Sequence, residues 1–190
     1  MAVKFLEGDH VFLRPMEVED LEVSYSSLWN TEGRRLTGTQ ETFTKAGIQK
    51  WFERISLDSG RIDLVIGMQE DDQLIGDIGM LEIDYRNRSA VVRIALWENE
   101  NFGRGLGTEA MYLLLEHGFE VLNLHRIGLD VFAYNQRAIR SYEKIGFQQE
   151  GIIRDALFYD GEYHDSILMG MMEDEFRSRR EKARHGRDNK

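Results

Sequence analysis

The sequence predicts one mixed α+β domain around a central sheet, and three observations carry that prediction. Three apolar, alternating runs at 62–69, 74–85 and 89–97 are separated by short polar linkers at 70–73 and 86–88, as in antiparallel hairpins. The run at 89–97 leads through a glycine-rich turn into helical spacing over 105–122 and then a strand at 126–134. A strand–helix–strand unit of that length needs a crossover, so 126–134 lies parallel to 89–97. Two last strand-like runs, 147–159 and 164–172, meet at a turn, Asp160-Gly161.

The remaining elements follow in order. Residues 10–14 read as a strand ended by Pro15. Residues 18–29 and 44–57 show helical spacing, with Leu21, Tyr25, Leu28 and Trp29 on one stripe and Ile48, Trp51, Phe52 and Ile55 on the other. The tryptophans 29 and 51 and Phe52 are therefore expected in the core. Residues 33–42 between these helices are polar and read as a mobile loop. On the helix at 105–122, Met111, Leu114, Leu115, Phe119 and Leu122 share a stripe. A further helix spans 135–145 and stops at Gly146. The predicted order is β-α-α-β-β-β-α-β-α-β-β, a mixed sheet splayed between its fourth strand (89–97) and fifth (126–134).

Length and composition bound what such a domain does. The chain has 190 residues, 42% of them hydrophobic, and one proline, which suits a single domain over residues 1–176. There are no cysteines, so disulfides, thiolate zinc sites and cysteine nucleophiles are excluded. His10, His117, His125 and His185 lack ligand spacing, so no metal is expected. No signal peptide or membrane-length apolar run is visible, and a cytoplasmic protein with no membrane partner is expected. The net charge is −10. Residues 177–190 carry seven Lys/Arg against two acids, so this basic tail, read as poorly ordered or as a helical extension, holds +5. Residues 1–176 hold 17 basic against 32 acidic groups, or −15. Such a body disfavours nucleic acid and favours a cationic partner or substrate. Solubility alone explains it equally well.

Two segments carry chemistry. In the first, Phe102-Gly103-Arg104-Gly105-Leu106-Gly107-Thr108, alternate glycines allow a tight curl before a helix whose first N–H groups are unpaired. Such a turn cradles a phosphate or pyrophosphate, and it sits at the carboxyl end of a strand where two parallel strands diverge. In the second, Asn135 is a good N-cap, while Ala138, Ile139, Tyr142 and Ile145 face inward. Tyr142 reads either as a core tyrosine tied to backbone or as a proton donor to a leaving thiolate or amine.

These two segments, in this order of elements, resemble the GNAT superfamily of N-acetyltransferases, in the branch containing ribosomal-protein and spermidine N-acetyltransferases. The resemblance runs from about Phe5 to Phe176 and includes Leu74-Ile75-Gly76, Ile83-Asp84-Tyr85, Leu122-Asn123-Leu124-His125-Arg126 and Asp160-Gly161-Glu162-Tyr163-His164-Asp165. It implies the acyl-CoA N-acyltransferase fold, acetyl-CoA as cosubstrate, and an amine acceptor that is a polyamine, another small cationic amine or a protein N-terminus. It further implies a pyrophosphate on backbone N–H groups of Phe102, Gly103, Arg104, Gly105, Gly107 and Thr108, with Arg104 adding charge. The pantetheine arm would pair with main-chain groups of Ile94, Leu96 and Trp97, and an N–H near Leu96 would polarise the thioester carbonyl. Asn135 and Ala138 would contact the pantetheine, and Tyr142 would protonate the departing thiolate. Phe102 stands where the family's glycine motif often has Gln or Arg. A homodimer is compatible with the resemblance.

For the general base, Glu82 comes first and Glu98 second. Glu82 and Asp84 share a strand face by period-2 alternation, Glu98 lies next to the turn, and Asp77 is a further acid of the acceptor cleft. Two rivals remain. A dinucleotide-binding dehydrogenase needs a third glycine one place later than Gly107, although Asp130 lies at a distance suited to a ribose contact. A non-catalytic acyl-CoA-binding sensor or scaffold would keep the fold without the chemistry.

Overall fold

A computed structural model describes residues 3–188. The elements are β1 (Leu6–Glu7), β2 (Val11–Pro15), α1 (Leu21–Ser27), α2 (Thr31–Thr37), α3 (Lys45–Ile55), β3 (Ile62–Met68), β4 (Leu74–Asp84), β5 (Ser89–Leu96), α4 (Leu106–Glu116), β6 (Arg126–Phe132), α5 (Gln136–Ile145), β7 (Gln148–Tyr159), β8 (Glu162–Met172) and α6 (Glu173–Asp188). One eight-stranded sheet runs β1-β2-β3-β4-β5-β6-β8-β7. The β3-β4-β5 meander is antiparallel, and β5 and β6 are parallel, as the linker lengths require.

The sheet separates two packing layers. On one face α4 buries Ala110, Met111, Leu114 and Leu115 against Ile66, Ile78, Met80, Val92 and Ile127. Each such fully buried aliphatic side chain contributes about 1.5–3 kcal/mol, so this face carries most of the stability. A π-helical turn, His117–Val121, extends α4 and seats Phe119 beside Phe176 of α6, ring centroids 5.1 Å apart. Glu109 accepts hydrogen bonds from the main-chain N–H groups of His10 (2.8 Å) and Val11 (3.2 Å), pinning α4 to β2. On the other face Met16, Leu21, Ile48, Val65 and Trp97 form a smaller cluster under α1 and α3.

Three expectations change. Residues 33–37 of the loop expected over 33–42 belong to α2, because Asn30 caps the helix (Oδ1 accepts from Gly33 N–H at 2.8 Å) and Gly38 ends it in the left-handed region. Trp29 is half exposed, not core: its ring meets Tyr25 edge-on and lies under the Arg34 guanidinium. The period-2 alternation at the end of β4 fails, because a bulge between Leu81 and Asp84 puts Glu82 at φ +53°. Asp84 then turns its carboxylate to the N–H groups of Arg86 (2.9 Å) and Asn87 (2.8 Å). β1 and the adjacency of β6 to β8 add to the sequence reading. Residues 177–188 continue α6, where Arg177 and Arg180 pair with Glu120 and Glu116. Residues 189 and 190 lie outside the described residues, and among those described no helix is long and apolar enough to cross a membrane.

Candidate active site

β5 and β6 pair over only three positions, Ser89 with Arg126, Ala90 with Ile127 and Val91 with Gly128. Beyond Val91 they part, and a cleft of about 1260 Å³ opens there. The antiparallel register of β4 and β5 decides which main-chain groups face it. Trp97 N–H bonds to Ile75 C=O at 2.9 Å, so by alternation residues 93, 95 and 97 bond toward β4, while Ile94 and Leu96 point their N–H and C=O groups into the gap. Both ends of Trp97 are engaged, since Asn30 Nδ2 donates to its carbonyl at 3.0 Å. Of the three strand positions expected to meet an extended ligand, Ile94 and Leu96 offer main-chain groups and Trp97 does not.

The cleft runs from this edge to the start of α4. Gly103 and Gly105 take φ +73° and +85°, and a Cβ on either would meet no atom within 4 Å, so the space beside them is cleft. Gly105 caps α4 without a side chain. The main-chain N–H of Phe102 is already bonded to Asn99 C=O at 3.1 Å. Among the described residues, those of 103–108 find no acceptor in the protein, the condition for an anion cradle. Gly107 and Thr108 line the cleft, and Thr108 Oγ1 lies 3.0 Å from Ser141 Oγ, tying α4 to α5. Arg104 is not among the lining residues and donates to Asn101 Oδ1 at 3.1 Å.

The sequence reading missed the basic face of α5. Arg137, Arg140 and Lys144 fall at i, i+3 and i+7 and all line the cleft, a helical repeat visible in the sequence once α5 was placed. Arg137 lies over the Phe102 ring, 3.9 Å from its centroid, so the aromatic at this position holds a cation. In this acidic chain the cleft is lined by six basic residues and three acidic ones, Asp77, Glu82 and Asp130, so the body's negative charge resides elsewhere.

On α5, Asn135 accepts from Ala138 N–H at 3.2 Å and caps the helix, and both residues line the cleft. Tyr142 is partly buried, edge-on to Phe147, and also lines it. Among the described residues its hydroxyl bonds to no protein group, so it is not tied to backbone. Burial pushes the phenol up to about 12, and the Asp130 carboxylate acts in the same direction. The phenol thus stays protonated throughout the neutral range. Asp130, weighed in the sequence only as a ribose contact, lines the cleft near enough for Tyr142 to feel its charge. Its second signal, a place two residues past the last β5–β6 pair in the same cleft as Tyr142, exists only in the fold.

Of the expected bases, Glu82 lines the cleft from its bulge, whereas Glu98 is exposed and outside the lining. Asp77 does line it, but its carboxylate is committed: Arg93 Nη1 and Trp97 Nε1 (2.7 Å) both donate to it. Arg93 also reaches Asp63 at 3.7 Å, and Arg61 holds Asp63 with two bonds of 2.6 and 2.8 Å. The Asp77 carboxylate raises the Arg93 guanidinium above its already high ordinary value.

An open strand edge, unbonded amides at a helix start and an unpartnered phenol in one cleft suit a class of protein, transferases that take an acyl group from a long thioester with a pyrophosphate handle. The acetyltransferase (GNAT) domain family matches residues 10–148. A spermidine N(1)-acetyltransferase of Escherichia coli (strain K12) is 29% identical over 166 residues, 87% of this chain and 88% of that one. The spermidine N(1)-acetyltransferase of Vibrio cholerae is 35% identical over 114 residues, 59% of this chain and 65% of that one. The crystal structure of a spermidine N-acetyltransferase from Vibrio cholerae in complex with CoA and spermine superposes with a TM-score of 0.82 at 26% identity, covering 87% of this chain and 97% of that one. The chain belongs to the GNAT acetyltransferase family, and it is an enzyme that uses acetyl-CoA.

Proposed function

We propose that this enzyme moves the acetyl group of acetyl-CoA to a primary amine by direct attack, the acceptor being a polyamine, another small cationic amine or a protein N-terminus. The observation that carries the reading is the unbonded Tyr142 hydroxyl in the same cleft as the amides of 103–108 and the open edge at Ile94 and Leu96. The cradle and the cations of α5 would hold the pyrophosphate end, the open edge would take the pantetheine, and an N–H of that edge would polarise the thioester carbonyl. The amine nitrogen forms a C–N bond, the C–S bond breaks, and Tyr142 supplies the proton to the leaving sulfur. A carboxylate takes the proton lost by nitrogen. Glu82, which lines the cleft from its bulge, is the first candidate for this role, Asp130 of the same cleft the second, and Glu98, exposed and outside the lining, the least suited.

The spermidine relatives support a small cationic acceptor. The test is acetylation of a panel of polyamines, monoamines and N-terminal peptides by the purified protein, with CoA binding followed by calorimetry. Acetylation of any of these amines supports transfer. A chain that binds CoA yet acetylates none of them is a sensor or scaffold. Glu82→Gln lowers kcat more than Asp130→Asn does; the reverse order hands the base to Asp130.

A further inference from the structure

The helix α5 goes against its own electrostatics. Its first turn holds no acidic residue and carries Arg137 at the second helical position, where the helix end is already partly positive. Arg140 and Lys144 follow on the same side; all three are exposed and all three line the cleft. The other cations of the cleft are engaged. Arg61 and Arg93 pair with Asp63 and Asp77, and Arg34 donates to the carbonyls of Leu28 (3.1 Å) and Glu41 (2.8 Å). Among the described residues, no carboxylate forms an ion pair with Arg137, Arg140 or Lys144. Glu32, held first by its bond from Arg35, feels Arg137 only from a distance.

The run from Arg137 to Lys144 covers about 10 Å of helix. That is longer than a pyrophosphate, which the unbonded amides of 103–108 already suit. The contact between Thr108 and Ser141 (3.0 Å) fixes where the surplus charge sits. Ser141 falls between Arg140 and Lys144 in the chain, so these two cations flank the start of α4. Tyr142, two residues past Arg140, turns to the opposite, inward side of the helix. We infer that Arg140 and Lys144, with Arg137 beside them, form a second phosphate subsite, for the monoester phosphate on the ribose of CoA. The enzyme thereby selects the complete nucleotide over a dephosphorylated one. This rests on the donor-site reading above. A phosphomonoester carries a charge of about −1.5 to −2 near neutral pH and offers three acceptor oxygens. A row of cations at the rim of the cleft matches such a group in charge and in donors.

Calorimetry of CoA and dephospho-CoA binding, at low and high salt, tests this. The wild type should bind CoA at least about tenfold more tightly at low salt, with the ratio shrinking as salt rises. Arg140→Gln combined with Lys144→Gln should bring that ratio to within about twofold and change the dephospho-CoA affinity less than about twofold. Circular dichroism checks that this variant folds. Equal wild-type affinities for the two nucleotides, or equal losses for both in the variant, overturn the inference and leave the amide cradle standing. A wild-type protein that binds neither nucleotide refutes the donor-site reading instead.

Discussion

The side of the cleft proposed for the acyl donor and the side proposed for the acceptor are made from different materials. The donor side is made mostly of main chain: amides of 103–108 at a helix start, and the unpaired edge of Ile94 and Leu96. Its side chains can vary, as Phe102 does by recruiting Arg137. The acceptor side is made of side chains: an ion chain on β3, β4 and β5, an aromatic wall from α3, and α2 laid across the top. The difference teaches where specificity is free to change. Backbone direction is fixed by the fold, whereas a few side chains on helices and loops can be exchanged without disturbing it.

The strongest way to break the comparison is to attack the main chain of the donor side. Gly105→Val places a branched side chain at φ +85° beside open cleft. Calorimetry should show CoA affinity falling by more than about 100-fold while circular dichroism reports a folded protein. Normal affinity would disprove the cradle. Tyr142→Phe should lower kcat about 100-fold and leave CoA affinity intact. Because burial and then Asp130 hold the phenol near 12, the falling limb of kcat with pH should lie near 12 in the wild type rather than at the ordinary tyrosine value of about 10. Asp130→Asn removes the second cause and should move that limb downward.

Smaller effects sharpen the acceptor side. Asp77→Asn weakens a buried ion chain and should cost about 2 kcal/mol, read as a lower denaturation midpoint, with CoA affinity unchanged. Asn30→Ala removes both the cap of α2 and the bond to the Trp97 carbonyl. It should cost about 1 kcal/mol and raise the acceptor KM a few-fold. If it weakens CoA instead, α2 belongs to the donor side.

The same divide explains what the sequence disclosed. The glycine turn, the Asn135 cap, the meander and the splay were legible because each rests on local chemistry: missing Cβ atoms, a capping amide, hairpin-length linkers. α2 was not, although both its signals stand in the chain. Asn30 before Thr31-Glu32 and Gly38 after Thr37 bracket it, but Gly33 and a polar composition outweighed them. Glu82 and Asp84 were paired by an alternation that a bulge cancels, and bulges leave no reliable mark in composition. Asp130 became a candidate only once the register put it two residues past the last β5–β6 pair and in one cleft with Tyr142, a relation between segments distant in sequence.

The short seam between β5 and β6 has a mechanical consequence. Three residue pairs join two well-paired flanks of the sheet along one sparsely bonded line, and Thr108 and Ser141 tie α4 to α5 beside it. An extended molecule entering that line would add the hydrogen bonds the two strands leave unmade and so act as a splint. The protein that holds its donor is in this sense the better-built sheet.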